Sequence, residues 1–406
     1  MKKIIQKLLL LASVMILIPV FQPQTVAAAT EPELNAKAAM AFDEKTGQIM
    51  YSKNTDEKVA IGSITKIITL YLVTKAIDSG ELKETDMLTP TKEQADMTQE
   101  AELTNVRLDA DKTYSVKNLY SAAWIVSSNS AAMMLAQKVS GNQKSFVRLM
   151  RRTLKDWGIN DAKIYNVSGL NNDDLYNGMY LGNKDNENKL SVNDIAIIVK
   201  HILDEYPEVL KTTSQAKLEF PVDGETKTYN SLNLLLKDQR DYQEGYEFDG
   251  LKTGTTKKAG ESFVGTLPMD GTRVVTIVMD VTGDESDNDK RFRSTQNLAR
   301  YVKENYTRTK IMTPGDKVDT KYTPQKDVYM WLPSDFDLGS LKYEKSKNDL
   351  GFKTTYNGKT VKLNAINSPN GYIPYTKTEK KIKIKKVATK TTNWWDNVVH
   401  FFTNLF

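Results

Sequence analysis

An α/β fold is predicted for most of the chain, because strand patterns lie at both ends of a long stretch whose middle is helical. The first strand pattern is "AAMAFDEKTGQIMYSKN", two apolar runs around a turn that contains Gly47. The last is "ESFVGTL" and "TRVVTIVMDV", turned between Pro268 and Gly271. Such a sheet is assembled from segments far apart in sequence. Past Thr309 short alternating segments and turns such as "TPGD" and "YNGK" predict a separate, smaller all-β domain.

Each element follows in chain order. The opening residues carry Lys2, Lys3 and Lys7, then an apolar run from Leu8 to Phe21, then Ala27-Ala28-Ala29. Basic head, short apolar stretch and small-residue cleavage site predict a secretory leader over 1–29, with an uncleaved anchor as the other reading. A helix is expected from about Ser63 to Asp78, stopped at Ser79-Gly80. From about Lys92 to Asn166 the pattern is mostly helical, with "VKNLYSAAWIV" and "SAAMMLAQKV" on either side of a polar break. "SFVRLMRRTLKDWGI" and "SVNDIAIIVKHILDEY" are amphipathic. Strands return at Lys217 to Phe220 and Asp249 to Thr253, and a final helix spans about Lys290 to Tyr306. The boundaries expected are 30–308 for the α/β domain and 309–387 for the β domain.

Residues 388–406 form the last segment. "NWWDNVVHFFTNLF" places Trp394, Trp395, Val398, Val399, Phe401, Phe402, Leu405 and Phe406 on one side of a helical wheel, with polar residues opposite. Seven lysines against one glutamate precede it between Thr376 and Lys390. A helix lying in a membrane interface has this build, and a terminal helix docked on its own domain is the alternative. The net charge of +5 is too mild to indicate nucleic-acid binding. With no cysteine there is neither a catalytic thiol nor a disulfide framework. The acidic "DESDND" at Asp284 to Asp289 lacks the glycine and glutamate of a calcium loop, so no metal site is expected there.

The chemistry rests on three short motifs taken together. Ser63 and Lys66 stand one helical turn apart at the head of an apolar helix. Ser127-Ser128-Asn129 fills the polar break between two helices, and Lys252-Thr253-Gly254 ends a strand leading into a hairpin. Gly254 and Gly260 are expected to leave that strand edge open to a substrate backbone. Other matches fail on context: Lys45-Thr46-Gly47 is a turn ahead of any nucleophile, and Ser214 with Lys217 precedes a strand. Ser63 alone is as well read as an ordinary helix start.

The ordered set resembles the serine penicillin-recognising enzymes, and most closely the low-molecular-mass D-alanyl-D-alanine carboxypeptidases. The likeness runs from about Ala38 to Tyr306 and includes "SSNSAAMMLA" and "FDGLKTGTTKKAGESFVGT". The resemblance implies a β-lactamase/transpeptidase-like fold with an antiparallel sheet and a helical subdomain. It also implies an acyl-enzyme at Ser63, a proton relay through Ser127, and a substrate amide held by Asn129. Lys252 is implied to keep the site electropositive, and Thr253 and Thr255, flanking Gly254, to bind the substrate carboxylate. The N–H groups of Ser63 and Thr255 are the implied oxyanion hole, and no cofactor is implied. The implied substrate is the peptidoglycan stem pentapeptide, with β-lactams as inhibitors, on the outer face of the cytoplasmic membrane.

A serine nucleophile needs a neighbouring base. His201 lies in an amphipathic helix and His400 in the tail, which leaves Lys66, provided burial and Lys252 keep its amine neutral. A β-lactamase is the nearest rival. Its deacylating glutamate is missing, since "EPELN" at Glu31 to Asn35 precedes Ser63 and nothing equivalent lies between Asn129 and Lys252. A cross-link endopeptidase and a penicillin-binding scaffold of weak activity remain as further readings. No arginine is assigned to the substrate carboxylate; Arg240 reads as a solvated loop residue.

Overall fold

The computed structural model describes residues 31–283, 287, 289–316, 322–324, 326–345, 349–356, 359–362 and 373–377. The leader, the amphipathic tail with His400, and most of the acidic run from Asp284 to Asp289 lie outside the described residues.

Five antiparallel strands form the central sheet. They are β1 (Ala36–Asp43), β2 (Ile49–Lys53), β3 (Gly250–Thr256), β4 (Gly260–Met269) and β5 (Thr272–Val281), in the spatial order β2-β1-β5-β4-β3. Asp270 and Gly271, both at positive φ, turn β4 into β5 in register Met269 to Thr272, the two-residue hairpin turn whose twist suits the strands. β1 joins β5, so the first described strand is an interior strand of the sheet. β3 has a partner only on the β4 side and is the sheet's edge.

Alternation along β1 sorts two cores. Ala38, Met40 and Phe42 face a layer of helices: α1 (Lys66–Asp78), α2 (Val116–Ile125), α3 (Asn129–Ser140), α4 (Gln143–Asp156) and α5 (Val192–Glu205). Ala39 and Ala41 face the other side, where α6 (Lys290–Asn305) covers the sheet with Phe292, Leu298, Ala299 and Val302. α1 is buried on nearly every residue from Lys66 to Ala76, as suits an apolar helix at the centre of a domain. Each of its fully buried aliphatic side chains contributes about 1.5–3 kcal/mol.

The expected helix at Ser63 is corrected in one respect. Gly62 takes φ +49°, Gly62–Thr65 is a 3-10 turn, and the α-helix starts at Lys66. The stretch 92–166 is mostly helical, as expected, with one long interruption. Lys92–Asp96 and α2 to α4 are helical, but Glu100 to Lys112 is loop, and its carbonyls and amides serve the start of α3 instead.

The strand Tyr306–Met312 (β6) crosses residues 308 and 309 and pairs with Val328–Pro333 (β7). From β7, Trp331 is 1% exposed within the α6-side core. Its indole N–H donates to Asp43 Oδ2 at 2.8 Å, and its backbone bonds the Gln48 amide at both N (2.8 Å) and O (2.6 Å). Further on, Asp349–Tyr356 pairs antiparallel with Lys342–Lys345, Lys359–Lys362 and Ile373–Lys377.

Candidate active site

Three strongly apolar or glycine-bearing segments converge on Ser63. Gly62 packs against β3 so closely that a Cβ there would meet Thr255 N at 3.1 Å. Gly254 answers from β3, where a Cβ would lie 2.8 Å from both Ile61 O and Ile64 Cγ1. The strand edge is open, as expected, and its glycines have a second role. Gly254 lets the turn that bears Ser63 sit against β3, and Gly260, at φ +55°, abuts Asp280. Gly169, at φ +85°, comes from a third segment, and a Cβ there would lie 1.9 Å from Gly62 O.

Within this close-packed frame Ser63 is partly exposed, whereas Lys66 is fully buried. Lys66 Nζ lies 2.9 Å from Ser63 Oγ, 2.7 Å from Asn129 Oδ1 and 2.8 Å from the Ser168 carbonyl. Burial, and then the charge of Lys252, hold its amine well below the usual lysine range. A neutral amine has two N–H donors and one lone pair. In its neutral form the amine gives its two N–H groups to the Asn129 and Ser168 acceptors, and its lone pair is left to face the Ser63 hydroxyl.

The Ser168 carbonyl was invisible in the sequence because it belongs to the backbone. Buried asparagines fix the segment that carries it. Asn166 Oδ1 accepts from the Ser168 and Gly169 N–H groups. Asn188 donates to Thr65 Oγ1 and to Asn166 O, both at 2.9 Å, which ties that segment to the turn bearing Ser63.

Ser127-Ser128-Asn129 has a divided role. Ser127, at φ +59°, presents a buried hydroxyl without a hydrogen-bond partner among the described residues. Ser128 caps α3, accepting from Ala131 N, and Asn129 donates to Thr104 O at 2.9 Å while its oxygen faces Lys66. The middle serine is therefore a helix cap.

Lys252 and Thr253 are buried on β3. The Lys252 amine is pushed down to about 7, first by burial and then by the charge of Arg291. Arg291, from the first turn of α6, is the residue that sequence reading missed. Its Nη1 donates to Thr255 Oγ1 at 2.7 Å and to Gly254 O at 3.1 Å, and its Nε donates to Glu261 Oε2 at 3.1 Å. Glu261 is the β4 residue opposite Thr255. The basic Lys290-Arg291 pair opening the last helix was the available signal. The Arg240 side chain is 61% exposed and pairs with Asp241 and Asp289.

His201 stacks on Trp157 and pairs with Glu205, taking no part in the site. Lys45-Thr46-Gly47 is a turn, as expected, held by Thr46 donating from its N–H and hydroxyl to Asp43 Oδ1. Among the described residues no group of three or more acidic or histidine side chains is arranged to hold a metal ion.

A depressed lysine fixes the sign of a pH effect. Between about 7 and the ordinary lysine value, the unfolded chain holds a proton on Lys252 that the folded chain does not. Folding stability from this group therefore rises with pH across that window and is least below it. Lys252→Gln is expected to lose this slope. Thermal melts at pH 7 and pH 9 should show the wild type gaining on the variant, and a constant gap between them would contradict the burial of an uncompensated amine.

The sequence profile of the D-alanyl-D-alanine carboxypeptidase family matches residues 25–283. The D-alanyl-D-alanine carboxypeptidase DacA of Haemophilus influenzae is 28% identical over 253 residues, covering 62% of this chain and 58% of the relative's own length. Among solved structures, a peptidoglycan synthesis regulatory factor (PBP3) from Streptococcus pneumoniae superposes with a TM-score of 0.72 at 32% identity, over 86% of this chain and 99% of that one. Penicillin-binding protein D2 from Listeria monocytogenes, in its ampicillin-bound form, superposes with a TM-score of 0.54 at 29% identity, over 66% of this chain and 98% of that one.

Proposed function

The chain belongs to the D-alanyl-D-alanine carboxypeptidase family, and we propose that it removes the terminal D-alanine from peptidoglycan stem pentapeptides through an acyl-enzyme at Ser63. The observation that carries this reading is the contact of Lys66 with Ser63. An amine that burial holds well below the usual lysine range lies within hydrogen-bond distance of the partly exposed Ser63 hydroxyl.

The chemistry follows from the geometry. Ser63 Oγ attacks the carbonyl of the penultimate residue as Lys66 takes its proton. The N–H groups of Ser63 and Thr255 stabilise the oxyanion, a role favoured by the glycine-only packing of Gly62 and Gly254. Collapse breaks the peptide bond, and Ser127 passes a proton to the leaving amine. Asn129 holds the acyl-side amide. Thr253, Thr255 and Arg291 bind the terminal carboxylate, with Lys252 supplying charge that varies with pH near neutrality. Water then hydrolyses the ester.

A β-lactam mimics the same peptide and acylates the same serine. Deacylation of that adduct is slow, since the segment opposite Lys66 presents the Ser168 carbonyl and no carboxylate. Residues 30–308 form the catalytic domain, 309–387 the β domain, and 388–406 an interfacial helix that holds a secreted enzyme on the outer membrane face. Release of free D-alanine from a soluble pentapeptide ending in D-alanyl-D-alanine, and none from its L-alanyl-L-alanine counterpart, is expected. A folded protein that releases neither would refute the reading.

A further inference from the structure

Two cavities share Tyr176, a tyrosine 42% exposed. The first, of about 600 Å³, begins at Leu103 beside the catalytic centre, because the next residue, Thr104, accepts from both amide nitrogens of Asn129. The second, of about 450 Å³, lies beyond Tyr176 and has a different chemistry. Five amide side chains line it, Gln94, Gln137, Asn142, Gln143 and Asn177, and Glu93 is the one charged group among its lining residues. Gln143 is 5% exposed, and its Oε1 is a buried acceptor with no hydrogen-bond partner among the described residues.

Side-chain amides donate and accept at once. A hexosamine ring, whose hydroxyl and acetamido groups also do both, is complementary to such a lining, and the C–H face of its pyranose suits an aromatic ring. With no lysine or arginine in the lining, the cavity selects no carboxylate. Its distance from the catalytic centre points the same way. Gln137 stands two turns beyond Asn129 on α3, about 12 Å along the axis. Once a pentapeptide is cleaved before its last residue, four residues separate the acylated carbonyl from the sugar that carries the stem. Extended, they reach at most about 14 Å.

We propose that the amide-lined cavity beside Tyr176 is a saccharide subsite that binds an N-acetylated hexosamine of the glycan bearing the stem peptide. This inference rests on the carboxypeptidase reading for its substrate but not for its binding chemistry. The enzyme then distinguishes peptide attached to glycan from free peptide.

The test compares D-alanine release from a disaccharide-linked pentapeptide and from the same pentapeptide without sugar. For the wild type KM is expected to be several-fold lower for the linked substrate, with kcat similar. In Tyr176→Ala and Asn177→Ala, both at exposed positions, that KM ratio is expected to approach one. A ratio of one in the wild type, or an advantage that both variants retain, would overturn the subsite. If neither substrate is turned over, the carboxypeptidase reading has failed, and binding decides alone. Saturation-transfer NMR with the free N-acetylglucosaminyl-N-acetylmuramyl disaccharide is expected to show contact that Tyr176→Ala removes. No transfer from the wild type would overturn the proposal.

Discussion

Ser63→Ala is expected to reduce D-alanine release by about 10⁴-fold or more, to the level left by binding alone, and to abolish covalent labelling by a fluorescent penicillin. Among the described residues the side chain makes one hydrogen bond, to Lys66, and it is partly exposed, so its loss leaves the packed frame of Gly62, Gly169 and Gly254 in place. A melting temperature close to that of the wild type accompanies the loss. Labelling retained by the folded variant would place the nucleophile elsewhere.

Lys66→Gln is expected to lower the rate of acylation by about 10²–10⁴-fold, the usual contribution of a positioned general base. The amide can still bond Ser168 O and approach Asn129, but it has no basic lone pair for the Ser63 proton. The pH profile gives a second readout. In the wild type the acylation rate rises with pH as the Lys66 amine, held well below the usual range by burial and by Lys252, loses its proton. The variant is expected to lose that limb, which stopped-flow measurement of penicillin acylation from pH 5 to 9 would detect. An unchanged limb would assign it to another group.

The Ser63–Lys66 pair and the strand that faces it were legible because each lies in a short motif with a distinct structural setting. Ser63 lies in the turn that leads into the apolar helix opened by Lys66, and Lys252 to Thr255 lie in a strand. Strand existence was legible as well, through the alternation in β1, β4 and β5. The placing of β1 beside β5, the central strand, depends on contacts between segments far apart in sequence, which no local pattern encodes. Arg291 escaped for a similar reason. It reaches Thr255 only because the β4–β5 hairpin carries the chain back to α6 over the sheet. The Ser168 carbonyl and the asparagines that fix it escaped because a backbone acceptor has no letter, and Asn166 and Asn188 look like loop residues until their partners are known. The 3-10 turn at Ser63 follows from the positive φ of Gly62, which is set by packing against β3.

The β-domain boundary illustrates another limit. A change in composition near Thr309 marks where the sequence becomes polar and strand-like. Yet Trp331, beyond that point, is buried in the α6-side core and bonds Asp43 and Gln48 between β1 and β2. Lone tryptophans in such a segment carry no sequence sign of the surface that receives them.

The most direct test of a lysine-activated serine is the mass of the protein after brief exposure to a β-lactam. One adduct per chain is expected, with the increment confined to the peptide that contains Ser63. An increment on any other peptide, or hydrolysis of the drug by a folded chain that never carries an adduct, would contradict the account.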